Sequence, residues 1–227
     1  DYNSNTNYNQ FGQGVTLSTY GNPDLAPQKT TQISGGIDFS FFKDRLTGYI
    51  NAYNKRTNPL VVAVDLASST GLVAFPFNVG IMNTLGGEIK IGYSPIFRLE
   101  DRIVWTFNVT GSTYKSKYSG LGSALAGLNA QNQQNQTITT KLLQFNDGYS
   151  PDDIWAAKSL GIDPGTGREM FLRPDGQYTF DYNSAILSAV GNTNPVVEGV
   201  ASTYFSYKGF NVGVNLRYQF GGDIFNT

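Results

Sequence analysis

The sequence predicts an all-β fold, a segment of a large antiparallel transmembrane β-barrel with about six strands here. Three observations carry this. Several stretches alternate apolar and polar residues with period two, in arms about 9 to 14 residues long, where globular strands run about 5–6. A tilted strand needs about 9–11 residues to cross a hydrocarbon layer. The connections between arms alternate short and long, the layout of barrels with short periplasmic turns and long extracellular loops. Composition agrees: 14 Tyr, 15 Phe and 26 Gly with only 15% charged residues suit long strands and loops.

Residues 1–30 are rich in Asn, Gln, Thr and Tyr and read as a polar loop. Thr31–Thr57 folds on itself at Lys43-Asp44, which sets Phe41 opposite Leu46, Phe39 opposite Gly48 and Ile37 opposite Ile50. The other side of the same hairpin pairs Ser40 with Thr47, Asp38 with Tyr49 and Ser34 with Tyr53. Alternation carried coherently through both arms predicts a hairpin with two chemically different sides. From Asn58 to Asn83 the period lapses, apart from a strand-like island at Leu60–Leu66. It returns in Thr84–Pro95 and Ile103–Tyr114, joined by a short polar turn and matched in parity. Lys115–Glu198 forms a long connection without a dominant period. Within it, Ser150–Gly161 permits a short capped helix or a strand turning at Asp163–Gly167 into Glu169–Leu172, and the hairpin is favoured. A last hairpin folds at Lys208-Gly209 and pairs Tyr207 with Phe210, Phe205 with Val212 and Ala201 with Leu216.

On this reading the lipid-facing set is Ile37, Phe39, Phe41, Ile50, Ile89, Ile91, Trp105, Phe107, Val212, Val214 and Leu216. Gly36, Asp38, Asn51, Glu88, Lys90, Thr106, Asn108, Asn215 and Arg217 make a mixed polar lining suited to water. Aromatics gather near both ends of the arms, where interface girdles belong. A soluble β-sandwich produces the same alternation, and differs by sealing the apolar side in a protein core. Six strands cannot close a wide barrel, and open edges are costly in lipid, so the chain is expected to be an internal part of a longer one. All 227 residues are assigned to a single barrel domain, with no plug domain in the segment and no signal peptide at its polar start.

Exclusions are broad. There is no Cys and no His, which removes thiol nucleophiles, disulfide frameworks, ordinary zinc sites and a histidine base. A surface protein without disulfides points to a bacterial host. No apolar run is long enough for a membrane helix. A net charge of −1 gives no basis for nucleic-acid binding. No enzymatic role, metal or cofactor is predicted.

Specific residues then resemble a known family. Asn22-Pro23-Asp24-Leu25, Lys29-Thr30-Thr31-Gln32, Gly36-Ile37-Asp38-Phe39, Phe42-Lys43-Asp44-Arg45-Leu46 and Tyr53-Asn54-Lys55 resemble the late barrel of SusC-like TonB-dependent transporters. Gly161-Ile162-Asp163-Pro164, Thr166-Gly167-Arg168-Glu169 and Pro174-Asp175-Gly176 resemble that family's loop motif. Ser206-Tyr207-Lys208-Gly209-Phe210 and Phe220-Gly221-Gly222 resemble its following hairpin, and Gly86-Gly87-Glu88 matches its Gly-x-Glu modestly. The resemblance runs from about Gly21 to the end and rests on the order and spacing of the pieces together. It implies a roughly 22-stranded barrel with an N-terminal plug in the bacterial outer membrane. It further implies uptake of oligosaccharide or peptide, a SusD-like surface lipoprotein as lid, and drive from the TonB complex through parts outside this segment. A surface scaffold or secretion-associated barrel, or a soluble carbohydrate-binding sandwich, are the alternatives.

Ligand-contact candidates lie in the long connection. Tyr118, Tyr149, Tyr178 and Tyr182 offer stacking rings, and Asn129, Gln131 and Asn132 belong to Asn129–Gln136, in which seven of eight residues are Asn or Gln. A solvated low-complexity loop is the plainer account of that run. Asp147, Asp152, Asp153, Asp163, Glu169, Asp175 and Asp181 fit no calcium-loop spacing, and they sit in loops unsuited to paired-carboxylate catalysis. The sequons at Asn108 and Asn135 are discounted in a bacterial strand and loop. Lys115 and Lys117, at a strand end, are expected to face headgroups.

Overall fold

The computed structural model describes residues 2–9, 12–17, 22–65, 74–134 and 141–224, the first two stretches by their backbone alone. In chain order, β1 (Tyr2–Asn9) and β2 (Gly12–Leu17) make a ribbon, and β3 (Thr30–Phe41) and β4 (Leu46–Thr57) make the first long hairpin. A second ribbon, β5 (Val61–Asp65) with β6 (Ala74–Asn78), leads to the longest hairpin, β7 (Ile81–Arg98) and β8 (Ile103–Ser119). The long connection holds α1 (Ala126–Gln134), β9 (Asp153–Ala157), β10 (Ser159–Ile162), β11 (Glu169–Leu172), β12 (Tyr178–Thr179), a 3-10 turn at Tyr182–Ser184, and β13 (Leu187–Asn192). β14 (Val197–Tyr207) and β15 (Phe210–Phe220) close the series.

Six of these strands form one antiparallel sheet in the order β15-β14-β8-β7-β4-β3. Its register is the one the alternation dictates, because a slip of one residue would turn every side chain to the wrong face. One row across the sheet reads Ile37, Ile50, Ile89, Gly111, Gly199, Tyr218, and the next reads Phe39, Gly48, Ile91, Val109, Ala201, Leu216. A third joins Phe41, Leu46, Tyr93, Phe107, Thr203 and Val214, and beside it Trp105 meets Phe205 and then Val212. All the apolar candidates therefore share one face. No second layer of described residues seals it: Ile37 is 71% exposed and Leu216 64%. The other face carries the polar rows, Asp38, Tyr49, Lys90, Thr110, Val200, Arg217 and Gly36, Asn51, Glu88, Ser112, Glu198, Gln219.

Tyrosines reach across glycines on both faces. A Cβ at Gly86 would meet the Tyr53 ring, and one at Gly199 would meet the Thr110 carbonyl and the Tyr218 hydroxyl. Tyr218 crosses two strands and its Oη donates to the Thr110 carbonyl at 2.7 Å. Glycine here gives up intrinsic strand stability, and the neighbouring ring covers the exposed backbone in return. On the apolar face Trp105 Nε1 donates to Thr203 Oγ1 at 3.0 Å, so the indole N–H and the threonine hydroxyl partner each other.

The turns and the packed residues sit at opposite ends of the sheet. Lys208 (φ 46) and Gly209 (φ 98) form a two-residue turn with both central residues left-handed, the twist that a tight hairpin requires. At the far end Leu60, Val79, Tyr118, Leu121, Leu125 and Leu128 form the main buried cluster, with Met82 and Phe145 against it. Asn22 Nδ2 donates to the Pro76 carbonyl at 2.9 Å, and Asn78 Nδ2 to the Ala26 carbonyl at 2.8 Å, which ties the Asn22-Pro23-Asp24-Leu25 segment to β6.

Four expectations are corrected. Residues 1–30 are not all loop, since Tyr2–Asn9 pairs with Gly12–Leu17; ladder bonds need no apolar face, and Tyr and Thr suit strands. The Asn/Gln run is not a loop over Asn129–Gln134, which is the end of α1, held by buried Leu128. Asn135, Gln136 and the sequon at Asn135 lie outside the described residues, as does Leu66. The 103–114 and 84–95 arms are longer than expected, because a register shift between Tyr93 and Ile96 lets β7 continue to Arg98. Asp153–Ala157 and Ser159–Ile162 are strands rather than a helix, and the Asp163–Gly167 turn joins β10 to β11 as expected; Ile154 and Ala156 instead belong to β9, which pairs with β13. Ser150 caps a turn rather than a helix: its N–H donates to Asp153 Oδ2 at 2.7 Å and its Oγ accepts from the Asp152 N–H at 3.1 Å.

Gly199→Ala is expected to lower the thermal stability of the complete protein in detergent by about 1–3 kcal/mol, since backbone blocks the new methyl. Gly35→Ala, where a Cβ meets nothing within 4 Å, should stay within about 0.5 kcal/mol in the same melt. Thr203→Val should cost about 1 kcal/mol by removing the acceptor for Trp105.

Candidate functional site

Two surfaces carry the polar chemistry: the polar face of the sheet and the folded connection between β8 and β14. Alternation brings Asp38, Glu88 and Glu198 to the polar face together with Lys55, Lys90 and Arg217, three acids against three bases. Arg217 donates to Glu198 at 3.3 Å, an exposed pair of small energetic weight. A cleft of about 290 Å³ on this face is lined by Gln32, Ser34, Asn51, Tyr53 and Glu88. Because Gly36 and Gly86 have no side chains, Asn51 and Tyr53 can lie across them and shape its floor.

The connection folds where β14 stops. β14 pairs with β8 only up to Ser112 opposite Glu198, which leaves the edge of β8 from Thr113 onward without a strand partner. The connection satisfies that edge itself. The Tyr118 N–H donates to the Tyr149 carbonyl at 2.8 Å, the Gly148 N–H to the Tyr118 carbonyl at 2.8 Å, and Asn194 Nδ2 to the Tyr114 carbonyl at 2.7 Å. The β9–β13 ribbon is pinned in turn: Asn192 Nδ2 donates to Asp153 Oδ1 at 2.7 Å, and the Asn192 N–H to Asp223 Oδ2 at 2.9 Å. Between edge and ribbon lies a cavity of about 430 Å³, bordered by Tyr114, Lys115, Tyr149, Asp153, Asn192 and Asn194.

The seven candidates divide among three places. Tyr118 is buried in the main cluster, its ring 5.7 Å from Phe145. Asn129 bridges α1 to the following chain, donating to the Phe145 carbonyl at 2.9 Å and accepting from the Phe145 N–H at 2.8 Å. Asn132 donates to the Leu143 carbonyl at 3.1 Å, while Gln131 beside it is half-buried. Tyr149 packs tilted at 4.7 Å against buried Trp155, remains 42% exposed as a residue, and borders the larger cavity. Tyr178 is exposed on β12, and Tyr182 sits edge-on to Phe171 at 5.5 Å. A further cavity of about 500 Å³ joins the end of α1 to the 3-10 turn through Gln133, Gln134, Tyr182 and Asn183. The amide run and one candidate tyrosine thus meet in space. Gln133 and Gln134 belong to the amide run the sequence marked, whereas Asn192 and Asn194 carry no local signal that marks them as cavity residues.

Charged groups in the connection serve its turns. The Thr166 hydroxyl and the Gly165 N–H hold the Asp163 carboxyl below its usual range, and the Ser184 hydroxyl and Asn183 N–H do the same for Asp181. Burial lowers Lys141, partly opposed by Asp152 and Asp153, and its Nζ donates to the Pro151 carbonyl at 3.2 Å. Among the described residues no cluster of acidic side chains has the arrangement of a metal site.

A family model described as "TonB dependent receptor-like, beta-barrel" matches residues 2–227. The chain is 24% identical to the TonB-dependent receptor SusC of Bacteroides thetaiotaomicron over 232 residues, covering 99% of this chain and 23% of that protein. It is 25% identical to the TonB-dependent receptor P39 of Formosa agariphila over 261 residues, covering 99% of this chain and 25% of that protein. Among solved structures, the RagAB peptide transporter superposes with a TM-score of 0.74 at 22% identity, over 97% of this chain and 24% of that one. The RagAB peptide importer in its closed-closed state gives 0.75 at 22% identity, over 98% and 24%. The chain spans about a quarter of the length of these relatives. The match over residues 2–227, joined to a six-stranded two-faced antiparallel sheet, places this chain in the TonB-dependent receptor-like β-barrel family of outer-membrane proteins.

Proposed function

We propose that the chain forms part of the wall and surface loops of an outer-membrane importer for oligosaccharides or peptides. One observation carries the reading: a six-stranded sheet with one mainly polar face and one mainly apolar face, whose large apolar side chains are left exposed. In water such a face is a liability, and against hydrocarbon it is the stable arrangement. Ile37, Phe39, Phe41, Ile50, Ile89, Ile91, Trp105, Phe107, Val212, Val214 and Leu216 then meet lipid, and the polar rows meet the aqueous interior. The balanced charge of that interior suits a solute of low net charge.

Substrate contact falls to the connection between β8 and β14. Tyr149 and Tyr182 present ring faces beside cavities bordered by Asn and Gln amides, which hydrogen-bond to sugar hydroxyls and peptide groups alike. Tyr178, Gln131 and Asn132 lie on the same folded connection. Tyr118 and Asn129 hold its frame. Resemblance to SusC-type transporters supports a SusD-like lipoprotein above these loops, and energy from the TonB complex through other parts of the protein.

In the complete protein, Ile89→Lys is expected to lower barrel stability by about 2–4 kcal/mol, read by heat-dependent gel migration, while Ser112→Lys on the other face stays near neutral. Equal costs for both would argue against a lipid-facing side. Tyr149→Ala combined with Tyr182→Ala should reduce uptake of the physiological substrate at least tenfold without changing the amount of folded protein in the membrane. Unchanged uptake would remove the connection from substrate contact.

A further inference from the structure

The apolar face ends toward the long connections in two rows whose composition changes abruptly. The row Ile33, Asn54, Leu85, Lys115 is followed by Thr31, Arg56, Asn83, Lys117. Ile33 and Leu85 are among the most exposed aliphatic residues of the sheet, at 74% and 65%. Lys115 ends their own row, Arg56 and Lys117 stand in the next, and neither row holds a carboxylate. Arg56, Lys115 and Lys117 are all exposed, and none enters an ion pair among the described residues. Arg56 and Lys117 share a row across two strand spacings, about 10 Å apart at the backbone, and Lys115 lies one pleat repeat below, about 7 Å away. Long side chains at these points can converge on a single anionic group.

The opposite end of the same strands is different. Its turns mix Lys43, Arg45, Arg98, Arg102 and Lys208 with Asp44, Glu100 and Asp101, and Arg98 pairs with Asp101 at 3.8 Å. The cationic row is therefore confined to the long-loop end, on the face with the exposed aliphatics. Lys115 and Lys117 also border the 430 Å³ cavity, where Asp153, the one carboxylate on its lining, is already occupied by Asn192 Nδ2 and the Ser150 N–H.

We propose that Arg56, Lys115 and Lys117 form a binding site for the phosphate of a lipid headgroup in the outer leaflet, with the acyl chains lying along Ile33, Leu85 and Ile89. Aliphatic rows below and uncompensated cations above match the two halves of an anionic lipid. A basic group near such a surface contributes about fivefold in affinity. The proposal rests on the apolar face meeting lipid, which Ile89→Lys tests separately.

The test uses the complete protein purified in neutral detergent and native mass spectrometry with three probes: lipid A bearing its phosphates, the same lipid dephosphorylated, and inorganic phosphate. Wild type should retain the phosphorylated lipid at least tenfold better than the dephosphorylated one, and equimolar inorganic phosphate should not displace it. Arg56→Gln, Lys115→Gln and Lys117→Gln should each reduce retention roughly fivefold, and the triple variant should lose the preference. Arg56→Lys with Lys115→Arg and Lys117→Arg should keep it, as should Arg98→Gln with Arg102→Gln at the other end. Wild-type indifference to the phosphates, an unchanged preference in the single variants, or displacement by inorganic phosphate would overturn the assignment. Should the triple variant not fold, the single variants decide.

Discussion

Strand register is the constraint on which everything else depends. With a side-chain period of two, a single offset between any two neighbours in β15-β14-β8-β7-β4-β3 would mix Ile and Leu with Asp and Lys on both faces. The fold avoids this through tight turns at one end only. Lys208-Gly209 fixes β14 against β15, and the Lys208 N–H donates to the Arg102 carbonyl at 2.9 Å, tying that turn to the β7–β8 turn. The Ser94 N–H donates to the Arg45 carbonyl at 2.7 Å, linking β7 to the first turn. Register set at one end frees the other end to carry long, varied connections.

Those connections are shaped by an unpaired edge as well as by the buried cluster around Leu121, Leu125 and Leu128. β8 runs seven residues past the last residue that β14 pairs, and the exposed ladder groups there need partners. Backbone from Gly148 and Tyr149 and the amide of Asn194 provide them. Asp223, beyond the end of β15, then grips Asn192 on the ribbon, so the loop is clamped to both sides of β14. The resulting cavity is a consequence of covering a staggered edge with a ribbon that cannot follow it closely.

The sheet was almost wholly legible in the sequence, because alternation over twelve residues fixes strand, face and partner at once. Ile37 opposite Ile50 and Ala201 opposite Leu216 follow from counting away from a turn. The connection was less legible for a physical reason: its elements are short and held by side-chain bonds between distant residues, which leave no period. A helical signal did exist in Leu121, Leu125 and Leu128, spaced by four and three and all buried. The polar run that follows masked it. Asn192 reaching Asp153 and Asp223 has no local trace at all, and neither does the meeting of Gln134 with Tyr182.

Glycine placement shows how a wall can be both smooth and specific. On the polar face Tyr53 lies over Gly86, and on the apolar face Tyr218 lies over Gly199 and Gly111 with its hydroxyl turned back to the Thr110 carbonyl. A ring lying along the sheet takes little depth, so it keeps both faces of the sheet smooth. It also hides backbone carbonyls that a missing side chain would leave open. Replacing the glycine lifts the ring, and replacing the ring bares the backbone. Each member of such a pair is therefore costly to change alone, which is why a sheet with few charges and no core of described residues beneath it still holds one arrangement of its strands.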